Sequence, residues 1–217
     1  MEQFQHLRTW VFDLDNTLYP PHMRLFDQIE AKMTRAVMEA AGVDQAEADR
    51  LRHQYWLDHG TALAGLMRHH TIDPDAYMEA VHDISFDVLE ADPHLADLIS
   101  ALPGRRIVYT NGSAPYAAKV LQARGLTAAF DAIYGVEDAG YIPKPEAKAF
   151  ESVFALDGLS PDTAVMFEDD PRNLRVPHDL GMTTVHVAPT PEPAAHIHHH
   201  TDDLAGFLGR VLQVIRR

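Results

Sequence analysis

Four short polar clusters combine residue types that could do chemistry together: Asp13-Leu14-Asp15-Asn16-Thr17, Thr110-Asn111-Gly112, Lys144-Pro145 and Glu168-Asp169-Asp170. Asp13, Asp15 and Asp169 offer carboxylate oxygens, the ligand type that Mg²⁺ demands. A divalent ion beside an aspartate lets an anionic phosphoryl group approach despite its like charge, because the ion neutralises charge on the transferring oxygens. One carboxylate oxygen of Asp13 would remain free to attack phosphorus. Asp15, two residues on, would protonate the leaving alkoxide and later deprotonate a water. Thr110 and Lys144 would hold the phosphoryl oxygens by hydroxyl and ammonium, and Lys144 would also keep Asp13 ionised.

These groups can cooperate only if the chain brings them to one place, and its pattern predicts that it does. Residues 9–14 form an apolar run of strand formers that stops at the first acidic cluster and at Pro20-Pro21. Leu25, Ile29, Met33, Val37 and Ala40 then recur at helical spacing up to Gly42. Asp44 can cap a second helix through about residue 57, and helical segments at 61–69 and 75–82 follow, parted by Gly60 and Pro74. Beyond Pro93 strand and helix alternate: a helix at 94–102, a strand at 106–110, a helix at 115–124, a short apolar run at 132–134, and a helix at 146–155. A strand at 164–167, a helix at 173–180, a strand at 183–187 and a helix at 202–215 complete the series. Alternation of this kind predicts an α/β fold with a doubly wound parallel sheet. The domains expected are a catalytic core of residues 1–20 and 84–217 with an inserted helical domain at 21–83. In such sheets ligands bind at the carboxyl ends of the strands, and three of the four clusters stand there.

Composition narrows the classes further. Of 217 residues 46% are hydrophobic, none is cysteine, and 18 Lys and Arg stand against 32 Asp and Glu, a formal charge of −14. Without cysteine there are no disulfides, thiolate metal sites or thiol nucleophiles. The acidic balance provides no footprint for a nucleic acid polymer or an anionic membrane, although a small phosphorylated metabolite can still be held locally. The N-terminal stretch lacks a basic segment followed by a long apolar one, so a cytoplasmic protein is expected. The sequence contains no GxxxxGK[ST], GxGxxG or GxSxG, which removes support for kinase, dehydrogenase and serine-hydrolase readings.

The four clusters resemble the four motifs of the haloacid dehalogenase-like superfamily. DxDxT is matched by Asp13, Asp15 and Thr17, the strand-ending Thr by Thr110, the Lys by Lys144, and the acidic strand end by Glu168-Asp169. The helical insertion resembles the cap that the superfamily carries at the same point. The strings DLDNTLYP, TNGS and FEDDPRNLRVPHDLGM are most similar to the pyrimidine 5′-nucleotidase branch. The resemblance implies Mg²⁺-dependent hydrolysis of a nucleoside 5′-monophosphate or a similar small phosphomonoester through an aspartyl-phosphate. Sugar-phosphate or phosphoglycolate phosphatase and phosphomutase are the alternatives within the superfamily. The second aspartate disfavours a dehalogenase, which has no leaving alcohol to protonate, and the complete motif set disfavours a silent scaffold. The expected metal ligands are Asp13, Asp15 and Asp169, with Asp170 next and Glu168 beside the ion rather than on it.

Asn16, Thr17, Asn111 and Gly112, which share loops with the candidate catalytic groups, are expected to touch the substrate. Tyr19 is expected either to stack on a nucleobase or to pack the hinge of the insertion. Tyr55 and Trp56 read as core of the inserted helices, His69-His70 as a solvated helix end, and His196–His200 as part of a Pro-rich surface loop rather than a second metal site. A monomer or homodimer is expected.

Overall fold

The computed structural model describes residues 2–216. At its centre six strands pair in parallel: β1 (Thr9–Phe12), β2 (Arg105–Tyr109), β3 (Ala132–Tyr134), β4 (Ala164–Glu168), β5 (Thr183–Val187) and β6 (His199–Thr201), in the spatial order β3-β2-β1-β4-β5-β6. The chain builds outward from β1 through β2 to β3, then crosses to β4 and builds toward β6. Strand order therefore reverses at β1, and the carboxyl ends of β1, β2 and β4 surround one crevice.

Helices cover both faces. The side chains of α5 (Pro93–Ser100), α6 (Ala114–Ala123) and α9 (Leu204–Ile215) pack one face with Trp10, Phe12, Val108, Val165, Phe167 and Val185. On the other face α7 (Ala147–Asp157) packs with Val11, Ile107, Tyr109, Ala164 and Met166, where Val176 of α8 (Arg175–Asp179) joins the layer. A strand covered on both sides reads as a continuous apolar run, and all four residues of β1 are buried. The rings of Phe12 and Phe167 on adjacent strands stack at 4.6 Å with planes 5° apart, a contact worth about 0.5–1.5 kcal/mol beyond area burial.

The helical cap lies between β1 and α5: α1 (Leu25–Ala41), α2 (Gln45–His59), α3 (Ala62–His69) and α4 (Pro74–Val81). Its own small core contains Val37, Ala48, Tyr55, Leu63, Leu66, Tyr77, Met78 and Val81. Local chemistry sets its corners. Gly42 closes α1 in the left-handed region, and the side chains of Asp44, Thr61 and Asp73 accept the first free N–H groups of α2, α3 and α4. Among the described residues no helix is long and apolar enough to cross a membrane.

Three expectations are corrected. β1 ends at Phe12 rather than residue 14, because the chain turns where Thr17 and Leu18 N–H bond back to Leu14 O, and this carries Asp15 clear of the sheet. The helix expected at 173–180 is a 3₁₀ turn, Pro171–Leu174, followed by α8. The His-rich segment is not all loop: His199–Thr201 adds an edge strand beside β5. Its histidines are occupied locally. His196 and His200 donate Nε2–H to the carbonyls of Pro171 and Ala188, and His198 Nδ1 meets Thr184.

Candidate active site

Asp13 leaves β1 with its N–H still donating to Phe167 O at 2.9 Å, so its carboxylate stands beside the end of β4. Lys144 reaches it from the loop after β3 and is only 1% exposed. Its Nζ donates to Asp13 Oδ1 (2.7 Å), Glu168 Oε2 (2.6 Å) and Tyr109 O (3.1 Å). An ammonium has three hydrogens, and each has an acceptor. Asn111, expected as a substrate contact, spends its side chain on the lysine's backbone: Oδ1 accepts Lys144 N–H at 2.8 Å and Nδ2 donates to Lys144 O at 3.0 Å. The cap meets the same peptide at Gly60, where a Cβ would lie 2.8 Å from Lys144 O and φ is +85°. A side chain is excluded there by both space and backbone conformation.

Carboxylate oxygens of Asp13, Glu168 and Asp169 all lie within 4.8 Å of one another. Burial pushes the Asp13 carboxyl up, with the charge of Glu168 adding to it and Lys144 opposing. Asp169 is raised well above the usual carboxylate range by burial and by the charges of Glu168 and Asp13. Burial works against the ammonium of Lys144, but Asp13 and Glu168 outweigh it and its pKa rises. Two buried acids and a half-buried one against one lysine leave negative charge unmatched, and a hard divalent cation such as Mg²⁺ fits this all-oxygen donor set. Asn16, held at φ 60°, donates Nδ2–H to Asp169 Oδ2 at 3.3 Å and so braces this acid.

Asp15 sits apart from that trio. Its Oδ1 accepts hydrogen bonds from the hydroxyls of Tyr19 (2.5 Å) and Tyr116 (2.6 Å). Burial, followed by the charge of Asp13, raises its carboxyl to about 6, while the two hydroxyls pull the other way. Such poise suits a group that must give and take a proton near neutrality. The Asp15 side chain, expected to ligate the metal, gives its Oδ1 to the two tyrosines and lies outside the trio. Of the two readings of Tyr19 the structure fits packing at the hinge of the insertion: at 1% exposure it offers no ring face to a base. Thr17 is buried, its Oγ1 finds no partner among the described residues, and it does not line the cavity. Gly112 likewise lies behind the site, donating N–H to Thr110 Oγ1 at 2.9 Å and accepting from Val136 N–H. This bond fixes Thr110, whose hydroxyl hydrogen meets no acceptor among the described residues and remains available to a phosphoryl oxygen.

The acidic run after β4 also sorts differently from expectation. Glu168, expected beside the metal, joins the trio. Asp170, expected as a ligand, is captured two residues on: its carboxylate accepts from Arg172 N (3.0 Å) and from the guanidinium at 2.7–3.1 Å. Arg172 in turn lies 3.6 Å over the Trp56 ring and joins core to cap. Trp56 is therefore not cap core but a wall of a cavity of about 710 Å³ whose lining also includes Asp13, Asp15, Thr110, Lys144, Glu30 and Arg52. Asn173, whose buried Oδ1 has no partner among the described residues, lines it as well. Sequence reasoning had assigned no role to Tyr116, Arg172 or Asn173. Arg172 was findable as a cation at the right spacing from Asp170, whereas nothing in the chain announces that Tyr116 meets an aspartate 101 residues away.

The chain is similar to known proteins in sequence and in fold. The chain is 26% identical over 191 residues to Phosphate metabolism protein 8 of Saccharomyces cerevisiae, covering 81% of this chain and 60% of that protein, so it spans less than two thirds of the relative. Its fold is similar to CbbY of Rhodobacter sphaeroides in complex with phosphate (TM-score 0.64, 21% identity, 92% and 95% of the two chains). It is also similar to the magnesium-bound HAD-hydrolase YfnB of Bacillus subtilis (0.59, 19%, 97% and 99%) and to a HAD phosphatase of Thermococcus onnurineus (0.59, 20%, 97% and 100%). Residues 7–181, which carry strands β1 to β4 and the inserted helices, match the haloacid dehalogenase-like hydrolases, and the chain belongs to that family.

Proposed function

We propose that this hydrolase is a Mg²⁺-dependent phosphomonoesterase acting through an aspartyl-phosphate, and that its substrates are nucleoside 5′-monophosphates, with pyrimidine nucleotides foremost. The observation that carries the reading is the pair of aspartates two residues apart at the sheet's switch point, one beside a buried lysine and two further acids, the other held by neutral hydroxyls. Asp13 attacks phosphorus while Asp15 gives its proton to the departing oxygen, so the P–O bond to the leaving group breaks as the bond to Asp13 forms. Asp15 then takes a proton from water, the water oxygen bonds to phosphorus, and the Asp13–phosphorus bond breaks to release phosphate. Lys144 holds the Asp13 carboxylate in place, and Thr110 donates its hydroxyl to the phosphoryl group. Asp13, Glu168 and Asp169 would hold Mg²⁺, which when bound would supply positive charge against the phosphoryl oxygens.

The cavity wall supports a neutral leaving group. Seven carboxylates line it against three cations. Lys144 serves Asp13 and Glu168, Arg52 pairs with Glu30 at 2.9 Å, and Arg172 pairs with Asp170 at 2.7 Å, which leaves no spare cation for a second anionic group. Phe26, Met33 and Trp56 provide apolar surface suited to a nucleoside. The yeast relative's name, which refers to phosphate metabolism, is compatible with this reading. The cap, residues 21–83, would exclude water and select the ester, in an enzyme we place in the cytoplasm. A panel of phosphomonoesters with Mg²⁺ tests the proposal. UMP and CMP should give the highest kcat/KM; a sugar phosphate that outruns them would transfer the reading to that class, and no phosphate release from any ester would overturn it.

A further inference from the structure

Asp13 and Asp15 are held by opposite kinds of partner. Asp13 faces an ammonium, whereas Asp15 faces two phenols whose hydroxyls both donate to the same oxygen, Oδ1. Both phenols are 1% exposed, so no bulk water competes for those bonds. We propose that Tyr19 and Tyr116 are positioning residues for Asp15: by filling the acceptor sites of Oδ1, they leave Oδ2 as the only oxygen that exchanges a proton with the leaving group and with water. The inference rests on the phosphomonoesterase reading given above.

The chemistry of the clamp fits both halves of the reaction. When Oδ2 carries a proton, Oδ1 is a carbonyl oxygen and accepts both hydroxyls; when Oδ2 is bare, Oδ1 is half of a carboxylate and accepts them equally well. The acid therefore passes its proton out and takes one back without reorienting. A lysine in the same place would hold only the anion and would oppose the protonated state that the first step needs. The two donors come from different elements. Tyr19 follows the turn that leaves β1, and Tyr116 opens α6, directly after the Thr110 cluster. Tyr116 is itself backed by the cap: its ring stacks on His82 at 4.1 Å with planes 6° apart. His82 ends α4, and its Nδ1 meets Ser113 Oγ at 3.1 Å. The orientation of the acid is thus set where the cap hands the chain back to the core.

Leaving-group dependence separates this role from a merely structural one. Tyr19→Phe, Tyr116→Phe and the double variant keep the rings and remove only the hydroxyls. Each is assayed with CMP, whose alcohol must be protonated as it leaves, and with p-nitrophenyl phosphate, whose phenolate leaves without help. The parameter is kcat/KM, which reports the first transfer alone. With CMP a single substitution should lower it about tenfold or more, the scale of one hydrogen bond to a charged group, and the double variant further. With p-nitrophenyl phosphate all three should stay close to the unsubstituted chain, which also shows that they are folded. Equal losses on both esters, or no loss on CMP, overturn the inference alone. Failure of the unsubstituted chain to release phosphate from CMP, from p-nitrophenyl phosphate and from every other ester of the panel overturns the functional reading and this inference with it.

Discussion

The core and the cap contribute unlike halves to one cavity. On the core side Asp13, Thr110, Lys144 and Glu168 are all at most 5% exposed, stand at strand ends or in a braced loop, and have their orientations fixed by short hydrogen bonds. On the cap side Trp56 is 39% exposed and Arg52 and Glu30 form a partly exposed pair. On the proposed reading, the groups that must meet phosphorus within a fraction of an ångström stand at the sheet's edge, where neighbours over-determine them. The cap groups, which on the proposed reading meet a variable leaving group, sit on α1 and α2, helices with a small core of their own. Substitutions on the two sides should therefore fail in different ways: core changes lose the chemistry for every ester, and cap changes redistribute preference among esters.

The largest loss should follow Asp13→Asn, which removes the nucleophile while preserving shape. We expect turnover to fall on the order of 10⁴-fold or more for every ester, measured as phosphate release. Retention of activity on any substrate would break the assignment. Lys144→Met comes next, with a fall of about 10²- to 10³-fold, the scale for removing one donor that stabilises developing charge. It also leaves Asp13 and Glu168 facing each other without a cation. With magnesium chelated, its thermal midpoint should lie below that of the unsubstituted chain at pH 8 and approach it as the pH falls, because protonation of Asp13, whose carboxyl is pushed up by burial and by the charge of Glu168, relieves the repulsion. A midpoint equal to that of the unsubstituted chain at pH 8 would show that the lysine does not hold the pair together.

A smaller effect marks the join between the halves. Burial lowers His82 from 6.5 to about 4, with the charge of Lys119 adding to it, so the folded protein keeps this ring neutral where the unfolded chain would protonate it. The stability this protects is present above pH 6.5 and is lost as the pH falls toward 4. At pH 5 the deficit relative to pH 8 should be on the order of 2 kcal/mol. His82→Phe keeps a ring against Tyr116 and removes the titration, so its urea midpoint should decline less between pH 8 and pH 5 than that of the unsubstituted chain. Parallel declines would place the acid sensitivity elsewhere.

The core half was legible in the sequence because parallel strands are continuous apolar runs, and their ends are therefore visible as abrupt polar clusters. Asp13, Thr110 and Asp169 follow from that rule alone, since topology brings strand ends together whatever the details; Lys144, in the loop beyond β3, stands at no strand end and was singled out by residue type and motif order. What stayed hidden depended on side-chain direction beyond the strand end. Asp170 looked like a better ligand than Glu168 until Arg172, folded back by a 3₁₀ turn, took its carboxylate. Tyr19 and Thr17 lie in the right loop but turn away from the cavity as the chain coils after Leu14. The strand β6 was masked because its three residues, His199–Thr201, carry no apolar alternation and pair only with the backbone of β5. Trp56 could not be told from a core residue by spacing, because only the Arg172 guanidinium on its face shows which way the ring points.

Trp56 also provides the smallest of these tests and the one most specific to the cap. Trp56→Ala removes an aromatic wall of the cavity and the surface on which Arg172 rests, but touches none of the groups around phosphorus. A partly desolvated aromatic contact of this kind is worth about 1–2 kcal/mol. For CMP we expect KM to rise about tenfold with kcat little changed, as for lost binding that is shared by ground and transition states. Acetyl phosphate, whose leaving group carries no ring to set against the indole, should keep its KM. A loss in kcat shared by both substrates would mean that Trp56, through Arg172 and Asp170, steadies the loop that carries Asp169, and the division of labour between cap and core would have to be redrawn at that loop.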